Sequence, residues 1–173
     1  MSKILIIYSS VHGQTRKIAD HIKCSLSANG NDVECCSLDE APKLDGFEKV
    51  ILGASIRHGK HNPAVYDFIT ANLELLETKQ TAFFSVSLVA RKEAKNTAET
   101  NPYMQAFLEK TVWRPQVLTV FGGNLDYQGY SMMDRNIIRF IMWITKGPTA
   151  ADTKVEYTDW KKVELFAEQL QAL

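Results

Sequence analysis

The run ILIIY over residues 4–8 has no polar alternation, the pattern of a strand whose two faces are both covered. It stops at Ser9-Ser10-Val11-His12-Gly13-Gln14-Thr15. The chain then turns amphipathic, with Ile18, Ile22 and Leu26 on one helical stripe, and ends that stripe at Asn29-Gly30, a favoured helix-ending pair. Strand, small polar loop and helix follow one another within thirty residues, and the rest of the chain repeats that order.

Residues 33–38 read as a second strand, 49–54 (KVILGA) as a third, 81–88 (TAFFSVSL) as a fourth and 117–121 as a fifth that ends at Gly122-Gly123. Asn62-Pro63 and Asn101-Pro102 each join an N-cap to a proline in the first helical turn. Val65, Phe68, Ile69 and Leu76 follow the first pair at helical spacing, and Tyr103, Met104, Phe107 and Leu108 follow the second. A last helix opens near Thr158-Asp159, with Val163, Phe166, Ala167 and Leu170 as its inner face.

Five strands alternating with helices predict an α/β fold with a doubly wound, five-stranded parallel sheet. Right-handed crossovers leave few topologies, and the order 2-1-3-4-5 is the commonest at this size. Such sheets bind ligands beyond the carboxyl ends of their strands, at the switch point beside strand 1, where loop 9–15 falls. The expected organisation is a single domain over residues 1–173. Two segments are not needed by the sheet: a polar one at 89–100, and an insertion at about 128–153 that contains a hydrophobic helix.

The formal net charge is zero, so no basic field suits nucleic acid. Cys24, Cys35 and Cys36 make an odd count without metal-type spacing, and are expected as small buried groups in a reducing cytoplasm. The N-terminus enters a strand at once, unlike a signal peptide, and no apolar run reaches the roughly 18–20 residues that span a bilayer. A soluble protein, or one lying on a membrane surface, is expected.

Ser9, Ser10, His12, Gly13, Gln14 and Thr15 combine hydroxyls, a permissive glycine and the free N–H groups of a helix start, which suits a phosphate. The loop lacks the glycine spacing and Lys of a P-loop, and it lacks G-x-G-x-x-G. Taken alone it also fits a plain capped turn. The third strand adds a second such loop, ILGASIRHGKHNP, on the same crevice.

The stretch SVHGQT (residues 10–15) resembles the flavodoxin phosphate motif T/S-x-T/S-G-x-T. YSSVHGQTRKIA, VILGASIRHGKHN, FFSVSLVARK and VEYTDW together resemble the quinone-dependent protoporphyrinogen IX dehydrogenases, a flavodoxin-like branch of haem biosynthesis, over nearly the whole chain. The resemblance implies a flavodoxin-like enzyme with FMN as cofactor. It also implies protoporphyrinogen IX as substrate and a membrane quinone, menaquinone or ubiquinone, as acceptor. Ser10, Val11, His12, Gly13, Gln14 and Thr15 would wrap the FMN phosphate. Ser55, Ile56, Arg57 and His58 would border one side of the flavin ring, and Ser87, Leu88, Val89 and Ala90 another. Two departures stand out. His12 replaces the middle hydroxyl of the motif, and the flavin loops lack the Trp and Tyr that electron-carrier flavodoxins often stack on the ring. The bare ring face favours catalysis over the alternative of an electron-carrier flavodoxin, and a flavodoxin-type NAD(P)H:quinone reductase stands as the second alternative.

Arg57, Lys60, Arg91 and Lys92 fall at the expected ligand edge. Arg57 and Arg91 are candidate partners for substrate propionates, with solvated surface charge as the alternative. His58 and His61 form H-x-x-H without a third ligand nearby, so no metal is expected. In SMMDRNIIRFIMWITKGP, Met133, Ile137, Phe140, Ile141 and Ile144 form an apolar helical face extended by Ile138, Met142 and Trp143, opposite Arg135, Arg139 and Lys146. That combination fits a membrane surface from about Met132 to Lys146, and hence a cytoplasmic protein peripherally bound to the inner membrane. The alternatives are a helix packed on the sheet or in a homo-oligomer interface.

Overall fold

In the computed structural model, which describes residues 1–173, the first half of the chain runs β1 (Lys3–Ser9), α1 (Gln14–Ala28), β2 (Asp32–Ser37), β3 (Lys49–Arg57), β4 (Lys60–His61), α2 (Pro63–Ala71), α3 (Leu73–Glu77) and β5 (Gln80–Ser87). The second half runs α4 (Pro102–Lys110), β6 (Val117–Gly122), β7 (Asn124–Asp126), α5 (Met132–Ile144), β8 (Lys154–Glu156) and α6 (Trp160–Ala172). Five parallel strands lie in the order β2-β1-β3-β5-β6, which is 2-1-3-4-5 in the strands read from the sequence.

The absence of alternation in β1 has a direct cause. Ile4 and Ile6 point into a cluster with Ile18, Ile22 and Leu26 of α1 and Phe166 and Leu170 of α6. Leu5 and Ile7 point the other way, into a cluster with Val65 and Ile69 of α2, Leu76 of α3 and Phe107 of α4. All four β1 residues are fully buried, each contributing about 1.5–3 kcal/mol over exposure. The helix starts follow their caps. Asn62 accepts from the Ala64 N–H at 3.0 Å, Asn101 from those of Tyr103 and Met104, and Asp159 from those of Lys161 and Lys162.

Several details differ from the sequence reading. β3 continues past Ala54 to Arg57, because β4 turns back on it through His58 and Gly59, both at positive φ (51° and 79°). The stretch from Pro63 to Leu76 is two helices, since Asn72 caps α2 and its Nδ2 donates to the Phe68 carbonyl. The insertion is closed at its base by a small antiparallel sheet pairing β7 with β8. Within it, Leu125, Tyr127, Tyr130 and Met142 form a third apolar cluster. The expectation of three buried cysteines is corrected: Cys24 is exposed on α1, where it follows the inward-facing Ile22 by two positions, while Cys35 and Cys36 are half-buried. Desolvation pushes the Cys35 thiol up to about 12.

His61 carries a testable consequence. Burial against Phe83 and Phe107, with Lys110 adding repulsion, pushes its imidazole from 6.5 down to about 4, and the ring bonds Ser85 Oγ at 2.8 Å. The unfolded ring takes up a proton at higher pH than the folded one. Stability is therefore full above the unfolded pKa and falls as pH drops through the window down to about 4, by about 3 kcal/mol from this group. We expect His61→Gln to be less stable than the parent at neutral pH and to lose less across that window, read by urea unfolding at stepped pH. Equal losses in both proteins contradict the assignment.

Candidate functional site

The carboxyl ends of β1, β3, β5 and β6 open into a cleft. On one side lies the start of α1. Gly13 takes φ +92° there, a conformation strained for any residue with a side chain. The Gly13 N–H donates to Ser10 Oγ at 3.1 Å, which folds the loop back on itself. The first helical bond is Lys17 N–H to the Gly13 carbonyl, so the N–H groups of Gln14, Thr15 and Arg16 make no bond within the chain. Thr15, only 1% exposed, keeps a buried Oγ1 without a partner, and Ser87 across the cleft does the same. Buried hydroxyls are nearly always bonded. Two orphaned ones facing the same cleft, beside unbonded helix N–H groups, fit a ligand with a phosphate at α1 and polar edges near β5. The FMN implied by the sequence resemblance has that form.

Most of the sequence candidates meet here. Ser10, Val11, His12, Gln14, Thr15, Ser55, Ile56, Arg57, His58, Ser87, Leu88 and Val89 all line the cleft. Ala90 turns into the core beneath α2 and α4 instead, and Gly13 shapes the loop from behind. Sequence reasoning missed Tyr103 from α4, Tyr130, Asp134 and the isoleucines of α5, which complete the wall. The Asn101-Pro102 cap, which fixes where α4 begins, was the available signal for Tyr103.

Helix α5 divides the apolar face read from the sequence. Ile137, Ile138 and Ile141 line the cleft. Phe140, Trp143 and Ile144 stay on the outside at 59%, 69% and 59% exposure, with Met132 and Met133 beside them. The basic stripe divides too. Arg135 Nε donates to the Tyr127 carbonyl at 2.8 Å and Arg139 Nε to that of Thr149 at 3.0 Å, while Lys146 is exposed.

Both candidate substrate arginines are engaged with α5. Arg57 Nη2 reaches the Asp134 carboxylate at 3.2 and 3.3 Å, and His58 Nε2 lies 2.8 Å from Asp134 Oδ1. Arg91 donates to the Leu88 carbonyl at 2.8 Å and to Thr145 Oγ1 at 3.0 Å, at the far end of the helix. His12, the departure from the phosphate motif, packs against Tyr130 at a tilt of 50° with centroids 4.6 Å apart and sits 3.7 Å from Asp134 Oδ2. Desolvation lowers the His12 pKa against the opposing pull of Asp134, with Arg57 lowering it further. The His58 hydrogen bond, assisted by Arg57, holds the Asp134 carboxyl below the usual carboxylate range despite burial. His61 of the H-x-x-H pair faces Ser85 in the core, so the two histidines do not converge.

The VEYTDW stretch braces the cleft from behind. Thr158 Oγ1 donates to the Gly122 carbonyl at 2.6 Å and accepts from Gln14 Nε2 at 2.8 Å. Glu156 takes Lys17 Nζ and Trp160 Nε1, each at 2.6 Å. A Cβ on Gly122 would lie 2.5 Å from the Tyr157 carbonyl oxygen, so only glycine lets this segment close on β6.

Comparison with known proteins agrees with this geometry. The flavodoxin domain family matches residues 5–152. A protoporphyrinogen IX dehydrogenase (quinone) from Leishmania major is 41% identical over 175 residues, 99% of this chain and 75% of its own. The Escherichia coli K12 protein of the same name is 37% identical over 173 residues, 99% of this chain and 96% of its own. Among solved structures, the Streptococcus pneumonia TIGR4 flavodoxin covers 99% of both chains at TM-score 0.54 and 15% identity. The Megasphaera elsdenii flavodoxin covers 68% of this chain and 84% of its own at TM-score 0.53 and 19% identity. These two establish the shared fold.

The orphaned Thr15 hydroxyl separates ligand binding from stability. Thr15→Val removes a buried group that has no partner in the free protein, so the FMN-free variant should melt no lower than the parent and gain up to about 1 kcal/mol. FMN affinity should fall about tenfold or more, because a bond to a charged phosphate is lost. Flavin fluorescence titration and thermal melts read both. A variant that melts lower and binds FMN as tightly as the parent contradicts the cradle.

Proposed function

This chain belongs to the flavodoxin domain family and, within it, to the branch of its protoporphyrinogen IX dehydrogenase (quinone) relatives, and on that footing we propose that it is an FMN oxidoreductase converting protoporphyrinogen IX to protoporphyrin IX in haem biosynthesis, with a quinone as electron acceptor. The observation that carries this reading is the pairing of a polar cradle at α1 with an apolar cleft walled by α5. A shuttle of electrons between proteins has no need of such a wall, whereas a flat apolar substrate does.

Bound FMN supplies an acceptor for hydride from a porphyrinogen carbon and a donor of those electrons to quinone. The chain's own part is binding, orientation and exclusion of water. Ser10, Thr15 and the N–H groups of Gln14, Thr15 and Arg16 hold the phosphate, favoured by the α1 dipole. The Ser55–His58 and Ser87–Val89 stretches border the ring, with Ser87 Oγ free to bond its edge. Ile137, Ile138, Ile141 and Leu88 keep the substrate side dry. His12 and His58 are both turned towards Asp134. Arg57 braces α5 through Nη2 on Asp134 and Arg91 through Nη2 on Thr145, while the other N–H groups of the half-exposed Arg57 are left for a substrate propionate.

The outer side of α5 is read as the contact with the membrane that carries the quinone. No helix of the protein is long and apolar enough to cross a membrane. Phe140, Trp143, Ile144, Met132 and Met133, with the exposed Arg139 and Lys146, form an apolar surface flanked by cations, which suits an anionic interface. On this reading the protein is cytoplasmic and peripherally bound to the inner membrane, with the cleft entrance near the quinone.

Anaerobic mixing tests the reaction. Protoporphyrinogen IX should bleach the flavin absorbance of the FMN-loaded protein, and NADPH should not. Bleaching by NADPH alone overturns the proposal in favour of an NAD(P)H:quinone reductase. For the membrane, changing Phe140, Trp143 and Ile144 together to Ser should leave FMN binding intact and weaken association with anionic vesicles by about tenfold or more. Turnover with a water-soluble quinone analogue should survive. Association equal to the parent's removes this face from the membrane.

A further inference from the structure

Asp134 is the third residue of α5, and its N–H donates to the Ser131 Oγ cap at 3.2 Å. An acid at that position of a capping box reaches back to the backbone N–H of the cap residue. This one does not. Its carboxylate turns into the cleft, where the residue is only 3% exposed. A buried carboxylate is costly unless it is paired. Every partner of the Asp134 carboxylate comes from the two segments that flank the proposed flavin site: Arg57 at the end of β3 with His58 just after it, and His12 after β1.

The position along the helix gives this cluster its consequence. Ile137, Ile138 and Ile141, the cleft-facing residues of α5, follow Asp134 by three, four and seven positions, which is the same helical face. The side chain that grips the loops therefore points the way the wall points. At the other end Arg91 holds Thr145. Arg135 and Arg139, by contrast, bond only the insertion's own backbone.

We propose that Asp134 is a positioning residue: its carboxylate, clamped by Arg57 and His58 beside His12, fixes α5 against the flavin loops so that the isoleucine wall receives a flat apolar substrate at a set distance. This rests on reading the cleft as the flavin and porphyrinogen site. Asp134 is part of the cleft wall, but its carboxylate is taken up by Arg57, His58 and His12. It acts through the helix, and FMN retention, which depends on the α1 cradle, is separate from it.

The test uses the FMN-loaded full chain. In Asp134→Asn the KM for protoporphyrinogen should rise about tenfold or more, while kcat and the FMN dissociation constant change by no more than about threefold. Trypsin should cut after Arg135, Arg139 or Lys146 about tenfold faster, with or without substrate, because the helix swings from its loops. Asp134→Glu, which keeps the charge, should recover most of that protection. Equal nicking of the parent and the Asn variant overturns the proposal, and so does equal nicking of the Asn and Glu variants, which would make the effect one of shape. Should Asp134→Asn not fold, Arg57→Gln with His58→Gln removes the clamp from its open side, and an unchanged nicking rate there overturns the proposal equally. If the parent does not oxidise porphyrinogen, the proposed function fails, and the nicking rates still decide whether the clamp exists.

Discussion

Helices α1 and α6 press on one face of the parallel sheet and α2, α3 and α4 on the other, so the strands can offer a ligand nothing but their ends. The polar groups at the strand ends follow from that constraint. The loops after β1, β3 and β5 carry the hydroxyls and the glycine because they lie where both coverings stop. The start of α1 presents bare N–H groups there for the same reason, since a strand buried on both sides must be followed at once by the helix that covers it. Binding at the carboxyl edge is a geometric consequence of burying the sheet.

The insertion changes what such an edge can do. Without α5, the cleft would be an open shelf. With it, the cleft gains a wall of three isoleucines, held at one end by the Asp134 cluster and at the other by Arg91 on Thr145. Two basic residues and the motif's odd histidine thus have a common explanation in the burial of one carboxylate. The helix has two apolar sides: one lines the cleft and one faces the outside.

The sheet order, the helix caps and the glycine turn into α1 were legible because each is written in adjacent residues: an apolar run, an Asn-Pro pair, a serine three positions before a glycine. What was not legible depends on residues far apart in the chain. Nothing around Asp134 announces Arg57 or His58, 77 and 76 positions earlier. The period of α5 shows that it is apolar, yet Ile137 and Ile141 cannot be told from Phe140 and Ile144 until the cleft is present. Strands β4, β7 and β8 span only two or three residues, too short for any periodicity to register. Exposed Cys24 went astray because residue type was read ahead of helical position.

The central claim is that the bare N-terminus of α1 is a phosphate seat. Backbone amide NMR of the FMN-free protein, titrated with FMN, tests it most directly. The account predicts that the largest shift changes fall on the amides of Gly13, Gln14, Thr15 and Arg16, with a second set at Ser87 and Leu88. Saturable binding of FMN that leaves the 13–16 amides unmoved would contradict it.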